Sequence, residues 1–193
     1  IKDGELSLRK KKQLRDHQIQ ALKAIKEGLG KENRGKLIMA CGTGKTFTSL
    51  RIAEDLAGEG KQVLYMVPSL ALMSQTIREW KNDAEKDFTA FSACSDKKVG
   101  KRKNKEDFIE MNLSDLAFPA TTDPEKLAKE VIRSDQSNMK VVFSTYQSID
   151  VIATAQNKYK LDEFDLIICD EAHRTTGETL FEEDEATFVR IHD

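Results

Sequence analysis

The residues with the plainest capacity for chemistry lie in "LIMACGTGKTF", 37–47. Gly42 and Gly44 remove side chains at the points where backbone N–H groups must curl around a β-phosphate. Thr43 lies between them, inside the loop. Lys45 places a charge on the β- and γ-phosphates, and Thr46 offers a hydroxyl to Mg²⁺. The general phosphate-loop pattern, G-x-x-x-x-G-K-[ST], has Met39 here in place of its first glycine. That position is where a strand runs into the loop, and it need not touch phosphate. G-K-T also arises by chance, so a second element must decide. "FDLIICDEAHR" puts Asp170 and Glu171 at the C-terminal end of an apolar run, where ligands bind in parallel sheets. Asp170 can hold Mg²⁺ through water, and Glu171 can orient or deprotonate an attacking water. An acidic surface turn gives the same letters, but it does not account for the pairing with a G-K-T loop.

The elements that must position these groups alternate. Asp16 can cap a helix whose apolar face is Ile19, Leu22 and Ile25 or Ala24, ended by Gly28 and Gly30. "KLIMA" reads as a short buried strand, followed by the loop and a helix over about 45–57. "QVLYMVP" predicts a strand, 70–80 a helix ending in Trp80, and "FTAFSAC" a strand. "KVVFST" and "FDLIICD" are two more strands, separated by a helix through "YQSIDVIATAQNK". Short Val- and Ile-rich strands alternating with helices imply an α/β fold: a mainly parallel sheet with helices on both faces. Residues 96 to about 121 are long and irregular for a connection in a compact domain. Asp123 and Pro124 then start a helix as N-cap and first turn.

Composition narrows the setting. The 193 residues suit one sizeable α/β domain. A net charge of −2 supplies no global basic field, so any nucleic-acid binding must be local. Cys41, Cys94 and Cys169 are widely spaced, which argues against a disulfide framework or zinc site and for a reducing, cytoplasmic setting. No apolar run reaches the roughly 18 residues that span a bilayer. The chain begins at Ile1 rather than Met, as expected for a piece of something larger.

"GTGKT" with "DEAH" resembles the first RecA-like motor domain of superfamily 2 helicases and translocases. "LRDHQ" is similar to that superfamily's adenine-recognition motif, with Gln18 reading the adenine edge and Arg15 nearby. "VPSLALMSQTIREW" and "FSTYQSI" are similar to its next two motifs, and the resemblance covers about 14–177. Residues 1–13 then form a lead-in, and 178–193 an acidic tail. The strings "MACGTGKT", "CSDKKVG", "FPATTDPEKLA" and "FDLIICDEAHRTTG" resemble most closely the motor region of single-polypeptide Type I-like (Type ISP) restriction-modification enzymes.

The resemblance implies an ATP- and Mg²⁺-dependent DNA translocase or helicase motor acting on double-stranded DNA. It also implies a second RecA-like domain that supplies an arginine finger, and nuclease and methyltransferase domains elsewhere in a full-length chain. His173 would relay nucleotide state to the other half of the motor. No S-A-T or T-A-T string, the next motif, is present; the sheet is expected to lack a final strand, and the isolated fragment to be nearly inactive. A module that binds ATP and DNA only as a switch would use the same residues. A GTPase would need N-K-x-D, and the nearest string, "NKYK", lacks the aspartate.

Such a motor holds the nucleic-acid backbone rather than reading bases. Phosphate contacts are expected at the helix starts near Ser69 and Tyr146, through free N–H groups and the hydroxyls of Ser69, Ser144 and Thr145, with Pro68 shaping the turn. Helix capping alone would also place these hydroxyls. Lys97, Lys98, Lys101, Arg102, Lys103 and Lys105 form a basic cluster. It reads either as a solvated loop or as a DNA-tracking arm. Trp80 reads as core or domain packing rather than a base-stacking platform.

Overall fold

The computed structural model describes residues 11–94 and 120–172. Five strands form one wholly parallel sheet in the order β3-β2-β4-β1-β5: β1 Gln62–Val67, β2 Phe88–Ala93, β3 Ala120–Thr121, β4 Met139–Thr145 and β5 Leu166–Cys169. The helices are α1 Asp16–Leu29, α2 Lys45–Leu56, α3 Leu70–Asp83, α4 Pro124–Arg133 and α5 Ile149–Tyr159.

Alternation along the strands sorts the core into two halves. Val63, Tyr65 and Val67 of β1, with Met139, Val141 and Phe143 of β4, pack against Leu50 of α2 and Met73, Ile77 and Trp80 of α3. Leu64, Met66 and Val142 face the other way, onto Leu127 and Val131 of α4 and Ile152 and Ala155 of α5. A parallel sheet covered on both faces needs strands that are apolar throughout, and every residue of β1 and β4 is buried.

Asp123 caps α4 as its type and position predict, accepting from the N–H groups of Glu125 (2.9 Å) and Lys126 (3.3 Å), with Pro124 in the first turn. Asp16 does not cap α1. It is the first helical residue, and Arg15 occupies the N-cap position. The inward side of α1 also differs from the apolar pattern: Gln18 is buried, Ile19 is 51% exposed and Ala24 is exposed, while Leu22 and Ile25 are half-buried. Hydrogen bonds from Gln18 to the phosphate loop set that orientation, outweighing the burial of one isoleucine.

"KLIMA" is not a strand of this sheet. Residues 34–40 have no regular secondary structure, and Leu37 and Ile38 are exposed, Ile38 at 83%. Apolar character permits burial in a sheet but does not by itself supply the backbone pairing that defines a strand, and among the described residues 34–40 stays unpaired although one edge of the sheet is open. β5 is the end strand on its side, and Ile167 on it is 54% exposed. The lead-in does not float free at its end. Lys12 pairs with Asp83 at 2.6 Å, and Lys11 donates to the Ala84 carbonyl at 3.0 Å. Among the described residues, no helix is long and apolar enough to cross a membrane.

Candidate active site at the strand ends

Because all the strands run one way, their C-terminal ends share one edge of the sheet. Register pairs Val67 with Thr145, and Met66 with both Ser144 and Cys169. Pro68–Ser69, Ser144–Thr145 and Asp170–Glu171 are therefore neighbours along this edge. The loop carrying Lys45 enters α2 beside them.

The loop depends on its two glycines. Gly42 has φ 75° and Gly44 φ 86°, in the left-handed region that side chains disfavour. Gly44 is also crowded, since a Cβ there would come within 2.6 Å of Gln18 Nε2. Thr43 Oγ1 donates to the Ala40 carbonyl at 2.6 Å, closing the turn. Thr48 donates to the Gly44 carbonyl from both its backbone N–H (2.9 Å) and its hydroxyl (3.0 Å). Thr46 and Lys45 open α2, where unpaired N–H groups favour an anion.

The two candidate catalytic elements meet. Lys45 Nζ lies 2.6 Å from Glu171 Oε1, a contact between residues 126 positions apart. That hydrogen bond holds the Lys45 ammonium above its ordinary pKa, against an opposing contribution from desolvation. Asp170 continues the β5 ladder, its N–H donating to the Met66 carbonyl at 2.9 Å. Burial and the neighbouring Glu171 carboxylate push the Asp170 carboxyl upward from its ordinary value; the Glu171 N–H, Lys45 and Tyr65 oppose them. Its Oδ1 accepts from the Glu171 N–H at 3.0 Å. Glu171 has φ 54°, left-handed for a non-glycine residue. Such backbone costs about 1–2 kcal/mol and gathers at functional turns.

Gln18 is brought to the loop, 3% exposed, with both ends of its amide engaged. Nε2 donates to the carbonyls of Thr43 (3.2 Å) and Gly44 (3.3 Å), and Oε1 accepts from the Arg15 N–H at 2.9 Å. His17, which no motif singles out, also meets the loop, its Nε2 lying 3.1 Å from the Thr43 carbonyl.

The hydroxyl-bearing residues are disposed differently. Ser69 caps α3, accepting from the Leu72 N–H at 3.3 Å. Ser144 is fully buried, and its hydroxyl donates to the Thr145 carbonyl at 3.1 Å. Thr145 is 6% exposed, and its Oγ1 lies 2.7 Å from Ser148 Oγ. The helix start near Tyr146 is corrected: a 3-10 turn spans Tyr146–Ser148, and α5 begins only at Ile149. Tyr146 is buried, and its hydroxyl donates to the Asp170 carbonyl at 2.6 Å. The basic cluster with Lys98, Lys101, Arg102 and Lys103, the expected relay His173 and the acidic tail lie outside the described residues.

Sequence reasoning missed the aromatic backing of the site. Trp80 is buried, as expected of a packing residue, but its indole N–H also donates to the Thr46 carbonyl at 3.1 Å. Tyr65 and Tyr146 border Asp170. In a sequence these aromatics are indistinguishable from ordinary core.

Comparison with known proteins agrees with this architecture. The profile of the Type III restriction enzyme res subunit family (ResIII) matches residues 11–191. The Probable helicase A859L of African swine fever virus is 32% identical over 150 residues in both isolate Tick/Malawi/Lil 20-1/1983 and isolate Pig/Kenya/KEN-50/1950. The match covers 78% of this chain but only 15% of each viral protein.

Among solved structures, the ATP-dependent Type ISP restriction-modification enzyme LlaBIII bound to DNA superposes with a TM-score of 0.80 at 42% identity, over 95% of this chain and 12% of that one. A nuclease-deletion mutant of the Type ISP enzyme LlaGI, in complex with a DNA substrate mimic, gives 0.73 at 40%, over 94% and 16%. The chain belongs to the ResIII family and has the α/β fold of a first RecA-like domain of superfamily 2 helicases, similar to the motor region of Type ISP restriction-modification enzymes.

Proposed function

We propose that residues 14–177 form the N-terminal half of an ATP-dependent motor that moves on double-stranded DNA within a larger, cytoplasmic restriction-modification enzyme. The observation that carries this reading is the 2.6 Å contact of Lys45 with Glu171 beside Asp170, which joins a phosphate-binding cation to an acidic pair at one cleft. ATP enters over Gly42–Thr46, with Lys45 on the β- and γ-phosphates and Gln18 and Arg15 at the adenine. Glu171 balances the Lys45 charge. Phosphate oxygens compete for the same ammonium, so binding draws Lys45 away and turns Glu171 toward the attacking water.

The donor set fits Mg²⁺, which takes oxygen ligands and keeps several waters: the Thr46 hydroxyl, Asp170 through water, and Glu171 nearby. When bound, the ion neutralises charge on the β- and γ-phosphates. A second RecA-like domain of the full-length chain completes the cleft with an arginine, worth about 10³-fold or more in related enzymes. The isolated domain therefore turns over very slowly. His173 relays nucleotide state to that second half. DNA phosphates lie along Pro68, Ser69 and the Thr145 turn, and the basic cluster adds further contacts. Nuclease and methyltransferase domains occupy other parts of the full chain.

The test is DNA-stimulated ATP turnover by the full-length protein and its Lys45→Ala variant. Turnover in the parent that the variant loses supports the motor. Turnover that survives the substitution overturns it. Nucleotide-dependent DNA binding without turnover in the parent would assign a binding switch instead.

A further inference from the structure

The structure assigns to Tyr146 a positioning role: its hydroxyl holds the peptide between Asp170 and Glu171 in the orientation that presents the Glu171 carboxylate to the phosphate loop. This rests on the reading above that Glu171 serves the ATP reaction.

Tyr146 follows β4 and Asp170 follows β5, and β1 lies between these two strands. Neighbouring strands are about 4.8 Å apart, so a side chain from the turn after β4 must cross β1 to reach Asp170. A tyrosine has that length; a serine or threonine does not. Tyr146 is fully buried, in the core half that contains Leu64 and Met66 of β1, Val142 of β4 and Ile152 of α5. Its backbone is fixed as well. The Ile149 N–H donates to the Tyr146 carbonyl, and the hydroxyls of Thr145 and Ser148, which flank the turn, lie 2.7 Å apart. A ring held this way delivers its hydroxyl to one place, 2.6 Å from the Asp170 carbonyl oxygen.

That carbonyl is one end of the Asp170–Glu171 peptide. The other end, the Glu171 N–H, donates to Asp170 Oδ1 at 3.0 Å. The preceding N–H, that of Asp170, is tied to the Met66 carbonyl at 2.9 Å. A planar peptide held at its oxygen and at its N–H cannot turn over without breaking both bonds. The restraint matters because Glu171 has φ 54°. Turning the peptide over would return Glu171 to negative φ and release the left-handed strain. It would also swing the side chain away from Lys45, which it meets at 2.6 Å. The Asp170 Oδ1 bond is a local one of the kind that aspartate makes in many turns. The Tyr146 bond comes from 24 residues away and is set by the packed core. One such bond is worth about as much as the strain it opposes, so its loss frees the turn to relax.

The experiment measures DNA-stimulated ATP turnover by the full-length protein, as kcat and KM for ATP. Sites are counted by binding of a fluorescent, non-hydrolysable ATP analogue and kcat is expressed per site, so that misfolded protein does not enter the rate. The parent is compared with Tyr146→Phe, Tyr146→4-aminophenylalanine and Glu171→Gln. Phenylalanine keeps the ring and removes the donor; it should lower kcat about 10–100-fold, the cost of a misplaced reacting group, with KM unchanged. 4-Aminophenylalanine restores a donor of similar reach and should recover the parent's kcat. Glu171→Gln should abolish turnover. If it does and Tyr146→Phe keeps the parent's kcat, the Tyr146 assignment is overturned and the reading of Glu171 stands. If the parent has no turnover, or Glu171→Gln retains it, that reading fails and takes this inference with it. A Tyr146→Phe loss that appears in KM rather than kcat, or that 4-aminophenylalanine does not restore, also overturns the role.

Discussion

Along the edge where the strands end, the turn after β5 and the turns after β1 and β4 use their polar side chains in opposite ways. After β5, the Glu171 carboxylate meets Lys45 across the cleft while Asp170 lies half-buried beside them. After β4, Ser144 and Thr145 keep their hydroxyls inside the fold, on a carbonyl and on Ser148. Ser69, after β1, holds its own helix. The difference is one of satisfiability. A hydroxyl finds a backbone partner within a few residues at little cost, whereas a carboxylate leaving a buried strand needs a cation, a metal or water. Charged groups at strand ends therefore point to a ligand more reliably than hydroxyls do.

The largest effect tests the charged side. Lys45→Ala should lower DNA-stimulated ATP turnover by about a thousandfold, measured on the full-length protein, with the melting temperature little changed. Retained turnover would make the Lys45–Glu171 contact an ordinary ion pair and erase the contrast with the hydroxyl side.

Next comes the backbone that presents that charge. Gly44→Ala should destabilise by about 2–3 kcal/mol, from left-handed strain plus displacement of the Gln18 amide from two carbonyls. Gly42→Ala should cost about 1–2 kcal/mol, because nothing lies within 4 Å of its new Cβ. Chemical denaturation reads both. Equal costs would mean that Gln18 yields freely and does not brace the loop.

The hydroxyl side is sharpened by a pair of substitutions. Ser69→Ala should weaken DNA binding a few-fold through loss of a phosphate contact, while the slope of log affinity against log salt stays unchanged, because a neutral hydroxyl releases no counterion. Ser144→Ala should leave DNA affinity unchanged and cost about 1 kcal/mol of stability through its lost hydrogen bond. A DNA affinity that falls with Ser144→Ala at unchanged melting temperature would restore Ser144 to the nucleic-acid face.

What could be read in the sequence follows the same division. Asp123 with Pro124, and G-K-T with Asp-Glu, are local patterns whose chemistry is fixed by residue type and near neighbours. They lie in the structure where their types place them. "KLIMA" was not legible, because a parallel strand is defined by its partner, and Ile38 stands exposed instead. Asp16 lost its capping role and Ile19 its burial to an interaction over 25 residues, between Gln18 and Thr43. The aromatic backing was hidden because Tyr65 and Trp80 read as core, and they are core. Only the tertiary structure shows that their polar tips reach the site.

The smallest effect concerns the cost of holding Asp170 ready. Burial, then Glu171, raises its folded-state pKa above the ordinary aspartate value of about 4. The folded chain therefore keeps this proton at pH values where the unfolded chain has released it. Stability falls as pH rises from about 4 through the folded value, and the whole cost is present above that value. Asp170→Asn removes the charge and should raise the melting temperature by about 2 °C at pH 7 without nucleotide or Mg²⁺, even though turnover is lost. The gain should shrink toward zero as the pH is lowered to about 4, where the parent carboxyl is itself protonated. Thermal melts of both proteins across this range measure it. A melting temperature that falls at pH 7 would show that Lys45 and Tyr65 already satisfy the Asp170 carboxylate within the fold. Asp170 would then behave as Ser144 does, and the contrast between the two sides of the edge would rest on Glu171 and Lys45 alone.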